Sequence, residues 1–482
     1  MDVAVVGATG DVGRQICTQL IAHGVLSPTS RLQLVGRPDG SSASAVHGLR
    51  TDLMDAFDER APLIDVALTP GEVVADVVVV AAGLTPLARA GASTDRTKLA
   101  AANKQVFEQH AAALRKHGSG REVVIVVSNP VEVGVAVFAN ALGRHRVIGM
   151  GAWLDTLRFQ REIALSLGVR RARVSGFVVG QHGERPVPLW STVRIAGLDV
   201  AERLAAVERL RQGRTLDTYP DELADAKVRL DALAVRDVAE AFALVDTWPP
   251  DVRVNARAWM THQSGAKTAT GTAAATVDMI ATLLDGREIV VAGQVALADE
   301  VRIGGATSPG RVLGVPVILG PEGWGRVVLD PLADDEAAAL AASGRMIDGM
   351  LDSLGIPPAG DDPVVGMAAV TPPAVGAEAP SWEVDVEVRG SDEVGVVATL
   401  TSVFSTRGVT VDAVSTVRAS TSGVRLRFRA GERRALSLVR TLERLSMVTK
   451  VVVTSASPSL LRTEEVSPIN AVTGRGSLPR RG

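Results

Sequence analysis

Cysteine is almost missing from this 482-residue chain: Cys17 is the only one, so no disulfide can form within it. That suits a reducing compartment, and a cytoplasmic location is the expectation. Charge of either sign is not in excess, with 51 Lys and Arg against 54 Asp and Glu and a formal net charge of −3. The broad basic surface that nucleic acid or an anionic membrane would require is therefore not expected, and neither is counted among the partners. No apolar run reaches the roughly 18 residues of a membrane helix. The opening Met1-Asp2-Val-Ala-Val-Val reads as a short strand rather than a secretory signal. Tyrosine occurs once while Ala and Val abound, which reads as genomic bias. What remains is an ordinary globular balance over a length that suits about three domains.

The first of these announces itself early. Val3–Val6 is a buried-type strand, and Gly7-Ala-Thr-Gly10-Asp11-Val12-Gly13 leads from it into an amphipathic helix around Gln15–Ala22. Strand, glycine-rich turn and helix together place a dinucleotide pyrophosphate at a helix N-terminus. Leu32–Val35 is the second strand and ends in Gly36-Arg37-Pro-Asp39. An acid usually stands there to bind the ribose 2′-hydroxyl. Gly36 in its place, followed by Arg37, suits a 2′-phosphate, so NADP(H) is favoured over NAD(H). The other reading makes Arg37 a solvated cation and gives Asp39 the usual work. Two more buried parallel-type strands follow, Ala75–Ala82 running into Gly83, and Glu122–Val127 running into Ser128-Asn129-Pro130-Val131. Asn-Pro also favours a turn for backbone reasons alone.

The most informative stretch runs from Gly149 to Ser191. Gly-Ala-Trp-Leu-Asp155-Thr-Leu-Arg158-Phe puts a carboxylate and a guanidinium three residues apart, on one face of a helix. Gln160–Leu167 is helix-like and Val174–Val179 strand-like. Gly-Gln-His182-Gly-Glu then presents an imidazole in a glycine-flanked turn. A His that moves a proton, an Asp that orients it and an Arg that grips a carboxylate make a site for oxidising or reducing a 2-hydroxy acid. Each residue alone also fits a structural role.

These motifs in this order resemble the lactate/malate dehydrogenase family, over roughly residues 1–354. The resemblance implies His182 as proton donor and acceptor, Asp155 as its partner and Arg158 as the clamp on the substrate carboxylate. Counting back from Asn103, it puts Arg96 on the mobile loop arginine that polarises the substrate carbonyl. It puts Arg89 near the position that selects a second carboxylate. The loop is longer than the family's, so Ala90 competes with Arg89 for that place. Asn129 would meet substrate and nicotinamide. Thr270, or else Thr268, would line the pocket, unless these hydroxyls serve only to cap a helix. Gly7, Gly10, Asp11, Val12, Gly13, Gly36, Arg37, Ala82, Gly83, Asn103, Ser128 and Asn129 would surround the cofactor, and no metal is expected. The implied fold is a Rossmann-type doubly wound parallel sheet (1–148) plus an α+β catalytic domain (149–355). The partners would be a 2-oxo or 2-hydroxy acid and, by analogy, the other copies of a homodimer or homotetramer.

Residues 356–380, rich in Pro, Gly and Ala, read as a linker. Residues 381–455 then run strand, helix, strand, strand, helix, strand. Asp392-Glu-Val-Gly395-Val-Val enters the first helix, and the pattern resembles an ACT domain, a small ferredoxin-like module. That resemblance implies an amino-acid effector, although Val394 stands where the family turn has proline, and a dimerisation module without ligand is the other reading. Residues 456–482 read as a disordered tail. Two rivals to the dehydrogenase stand. One is a dinucleotide-dependent glycosidase, which would need Cys and His around a metal. The other is a non-catalytic nucleotide- and metabolite-sensing regulator.

Overall fold

The computed structural model describes residues 1–84, 96–265, 268–303 and 310–359. Toward the C-terminus it describes 381–388, 393–405, 409–418, 422–430, 435, 438, 439, 441, 442, 445 and 447–456. The chain divides into two units, Met1–Thr371 and Pro372–Gly482.

In the first unit β1 (Val3–Val6), α1 (Asp11–Ala22), β2 (Arg31–Val35), α2 (Ser41–Phe57), β3 (Leu63–Ala67), β4 (Val77–Val80), α3 (Arg96–His117), β5 (Val123–Val126), α4 (Val131–Leu142) and β6 (Val147–Gly149) alternate. The six strands are parallel in the order β3-β2-β1-β4-β5-β6. This is the doubly wound arrangement, whose direction reverses between β1 and β4. Burial explains the sequences. β1, β4 and β5 read VAVV, VVVV and VVIV and are buried throughout, because helices cover both faces of a parallel sheet. The carboxyl ends of these strands carry Gly7, Gly83 and Ser128, which puts the three turns along one edge.

The second half contributes α5 (Gly151–Leu167), β7 (Val174–Gly180), β8 (Pro186–Ile195), α6 (Val200–Arg211), α7 (Tyr219–Ala234), α8 (Val238–Asp246), α9 (Pro250–Gln263), α10 (Ala269–Asp285), β9 (Ile289–Ala296), β10 (Val312–Gly320), β11 (Gly323–Val327) and α11 (Asp334–Ser353). Its strands are antiparallel in the order β9-β10-β7-β8, with β11 on β10. One antiparallel pair, Gly149 with Gln294, joins β6 to β9 and makes the sheet continuous. The helix-like run at Gln160 extends back to Gly151. Its inner face buries Trp153, Leu154, Asp155, Thr156, Phe159 and Ile163, and Gly168 ends it in the left-handed conformation at φ 65°. Phe159 meets Trp190 of β8 edge-on at 5.0 Å, which fixes α5 against the antiparallel sheet.

The second unit holds β12 (Ser381–Val388), α12 (Glu393–Ser405), β13 (Val411–Arg418), β14 (Ser422–Arg429) and β15 (Val448–Ala456). They form an antiparallel sheet in the order β13-β14-β12-β15. Alternate residues Trp382, Val384, Val386 and Val388 are buried with Leu400, Phe404, Leu426 and Phe428. The intervening acids pair across to β14: Arg425 Nε donates to Asp385 at 2.6 Å and Arg427 Nη2 to Glu383 at 2.9 Å. Such exposed pairs set register more than stability. The expected linker beyond residue 359 and the expected tail beyond residue 456 lie outside the described residues.

Phe138 of α4 is fully buried, its ring 6.2 Å from that of Phe107. Phe138→Ala should destabilise the first unit by about 3–5 kcal/mol, read as a lower urea midpoint at unchanged slope.

Candidate functional site

The crevice is built first from backbone. Gly7 has φ 82°, and a Cβ there would fall 2.8 Å from Ala82 Cα; a Cβ on Gly13 would fall 2.2 Å from the Gly7 carbonyl oxygen. Only glycine lets the turn, the start of α1 and the end of β4 come this close. Gly10 precedes α1 and offers no side-chain cap, and Asp11, Val12 and Gly13 form the helix's first turn. A helix end of this kind suits a pyrophosphate, so these residues fit the cofactor that the motif implies. Beyond β2, the Gly36 amide donates to the Ala67 carbonyl and the Arg37 amide to Ser42 Oγ, both at 2.9 Å. The Arg37 and Asp39 side chains are both exposed.

Gly83 sits against Asn103, which is fully buried and used internally. Its Oδ1 accepts from the Leu84 amide at 2.7 Å, and its Nδ2 donates to the Asn129 carbonyl at 2.6 Å. Asn103 thus ties the end of β4 to the turn after β5. Ser128 Oγ donates to the Val80 carbonyl at 3.3 Å, and the Asn129–Pro130 peptide is cis. Arg89 lies outside the described residues. Arg96 opens α3, and its side chain lies outside them too. Thr270 is exposed in the first turn of α10, where its carbonyl accepts from Gln19 of α1. Thr268 precedes that helix at φ 50° without capping it through its side chain.

The predicted trio does come together. His182 Nδ1 lies 2.7 Å from Asp155 Oδ2, and Arg158 Nη1 donates to Asp155 Oδ1 at 3.3 Å. Asp155 is only 3% exposed, on the buried face of α5. Burial pushes its carboxyl up, but His182 and Arg158 pull it down further, and it ends below the ordinary range. Burial works against a charged His182, but Asp155, with help from Glu132, outweighs it and holds the ring above the ordinary imidazole value. Both shifts favour an imidazolium beside a carboxylate, with Nε2 the ring nitrogen that does not face Asp155.

Three residues of this mounting were missed. Glu132 of α4 accepts the His182 backbone N–H at 2.8 Å. Its signal was legible: one carboxylate in the apolar helix run VEVGVAVFA. Ser343 of α11 accepts from the Gln181 amide at 2.8 Å and donates to the Arg185 carbonyl at 2.9 Å, bracing the His turn at both ends. Nothing local in an Ala-rich helix marks it. Gly151 lies under the ring, where a Cβ would fall 2.5 Å from His182 Cγ.

Comparison with known proteins agrees with this construction. The family model for the lactate/malate dehydrogenase NAD-binding domain matches residues 1–149. Malate dehydrogenase of Chlorobium phaeobacteroides is 31% identical over 234 residues, covering 44% of this chain and 68% of that protein. The chain belongs to the lactate/malate dehydrogenase family. L-lactate dehydrogenase of Petromyzon marinus is 32% identical over 196 residues, and there the match spans 36% of this chain and 57% of that protein. A crystal structure of lactate dehydrogenase from Cryptosporidium parvum shares the fold, with a TM-score of 0.56 at 22% identity over 74% of this chain and 98% of that one. The lactate/malate dehydrogenases are hydride-transfer oxidoreductases, and the sensor reading gains no support from these relatives.

The His182–Asp155 pair has a defined pH signature. His182, held up in the fold, contributes stability that is complete below its unfolded value of about 6.5 and is lost as pH rises through the folded value. Asp155, held down, contributes above about 3.9 and loses that as pH falls through its folded value. In urea unfolding across a pH series, Asp155→Asn should be most destabilised relative to the parent between these limits. The gap should narrow as pH rises past the folded value of His182.

Proposed function

We propose that this family member catalyses reversible hydride transfer between a nicotinamide cofactor and a 2-hydroxy or 2-oxo carboxylic acid. The observation that carries the reading is the 2.7 Å contact of His182 with Asp155, one helical turn from Arg158. A bound nicotinamide supplies or accepts the hydride. Arg158 grips the substrate carboxylate. Arg96, at the start of α3, polarises the substrate carbonyl. His182 gives its Nε2 proton to the oxygen during reduction and takes it back during oxidation. Asp155 holds the ring by Nδ1 and stabilises its charge. Asn129 and Thr270 line the substrate side, and the Gly7–Gly13 turn with Ala82, Gly83 and Ser128 lines the cofactor side. Asn103 supports both by fixing Leu84 and Asn129.

Finer readings belong to the same proposal. Gly36 and Arg37 favour NADP(H), since a guanidinium and no carboxylate follow β2; the nicotinamide adenine dinucleotide of the Cryptosporidium parvum complex is a feature of that protein. Arg89 favours a dicarboxylic substrate. The C-terminal unit serves as an ACT-like module that takes an amino-acid effector, on the support of its strand order and helix-covered face. The lone, buried Cys17, whose thiol burial pushes up to about 12, suits a cytoplasmic enzyme. Among the described residues no helix is long and apolar enough to cross a membrane. A homodimer or homotetramer is the assembly we propose, by analogy with the family.

The test is absorbance at the reduced nicotinamide band, with NADPH and NADH each offered a panel of 2-oxo acids, with and without amino acids. Turnover of NADPH with a dicarboxylic acid is expected; silence across the panel would remove the catalytic reading. His182→Asn should keep cofactor affinity and lose turnover by a factor on the order of 10²–10⁴.

A further inference from the structure

His182 is held by two carboxyl groups on two different helices, and the sequence motifs account for only one. Asp155 of α5 takes the ring at Nδ1, 2.7 Å away. Glu132 of α4 takes the backbone N–H of the same residue at 2.8 Å. Glu132 is 2% exposed, in the first turn of a helix whose other inward residues are Val, Gly, Ala and Phe. A carboxyl in such surroundings is costly to bury unless it is bound, and the His182 amide is the partner shown for it outside its own helix. Glu132 also stands three residues after Asn129, on the turn that Asn103 ties to Leu84.

We propose that Glu132 is a positioning residue of this site: through the His182 amide it locks the imidazole turn in register with the Asn129 turn, and it sets a second carboxyl beside His182. Asp155 fixes the direction of the ring and Ser343 holds the two ends of the turn. The Glu132 bond holds its middle, at His182 itself. It does so from the helix that begins at the Asn129 turn, so the proton donor and the substrate-side amide move together or not at all. The charged groups facing His182 are Asp155 and Arg158 from α5 and Glu132 from α4. Burial pushes the Glu132 carboxyl up, and the His182 N–H offsets part of that. Glu132 acts on His182 in the same sense as Asp155, favouring the charged ring.

The inference rests on the catalytic reading above, and its test has one arm that does not. Glu132→Gln keeps an acceptor for the amide but has no ionisable carboxyl; Glu132→Ala removes both. The first arm follows the imidazole titration of His182 by nuclear magnetic resonance in the whole chain. Its signal is identified among seven histidines by its loss in His182→Asn. The titration should move to lower pH in both Glu132 variants. The second arm is kinetic. In Glu132→Ala, kcat should fall on the order of 10–100-fold, the scale of a misplaced catalytic group, with KM for the oxo acid within about two-fold. Glu132→Gln should recover most of that loss. An unmoved His182 titration in both variants overturns the proposal. So does a Glu132→Gln variant as impaired as Glu132→Ala, with cofactor affinity and Tm falling in parallel, which would make Glu132 a packing residue only. If the parent chain turns over no oxo acid, the catalytic reading fails while the titration still decides whether Glu132 acts on His182.

Discussion

A buried charge needs an opposite charge within reach, and most of the site follows from that constraint. Asp155 is on the inner face of α5, where an unpaired carboxylate would be expelled or protonated. His182 and Arg158 keep it ionised. Removing either member of such a pair leaves the other stranded at a cost of about 3–5 kcal/mol. The contact that orients the imidazole thus also favours its charged form. In the reaction we propose, the general acid has to be charged before reduction and aimed at the oxygen, and the hydrogen bond to Nδ1 favours both.

That bond works only if the turn bearing His182 is itself fixed. Glycine gives the turn its shape and leaves it soft, so stiffness has to come from outside. Ser343 grips both ends of the turn, Glu132 grips its middle, and Gly151 opens the space in which the ring lies on α5. These three residues come from three helices, Glu132 and Ser343 being 211 positions apart in the chain. The mixed sheet brings them together, because the single pair Gly149–Gln294 extends the parallel half into the antiparallel half. The turns after β1, β4 and β5 and the His182 turn therefore sit on one continuous platform.

The same physical logic explains why the two halves of the first unit read so differently. The central strands of the parallel half, β1, β4 and β5, are nearly uniform Val, Ile and Ala, because both faces are covered. The antiparallel half mixes long buried strands with polar helices that pair among themselves, as Arg253 and Arg257 do around the buried Glu162. The C-terminal unit follows a third rule, alternation with one apolar face and one charged face, which is the pattern of a sheet covered on one side only.

Local chemistry determined much of this protein from its sequence. Strand, glycine turn and helix at Val3–Ala22 can hardly fold otherwise, and the three-residue spacing of Asp155 and Arg158 puts both on one helical face. The glycines around His182 announce a presented side chain, and the alternation in 381–388 announces a one-sided strand. Each of these signals is carried by neighbours in the chain. What the tertiary structure decided is everything that depends on residues far apart meeting. Only the fold shows that Asn103 is engaged with Leu84 and Asn129, that a lone Glu in α4 reaches the His182 amide, and that a serine in the last helix braces the turn. No period or motif encodes those meetings, since a hydrogen bond between distant residues leaves no trace in the spacing of either one.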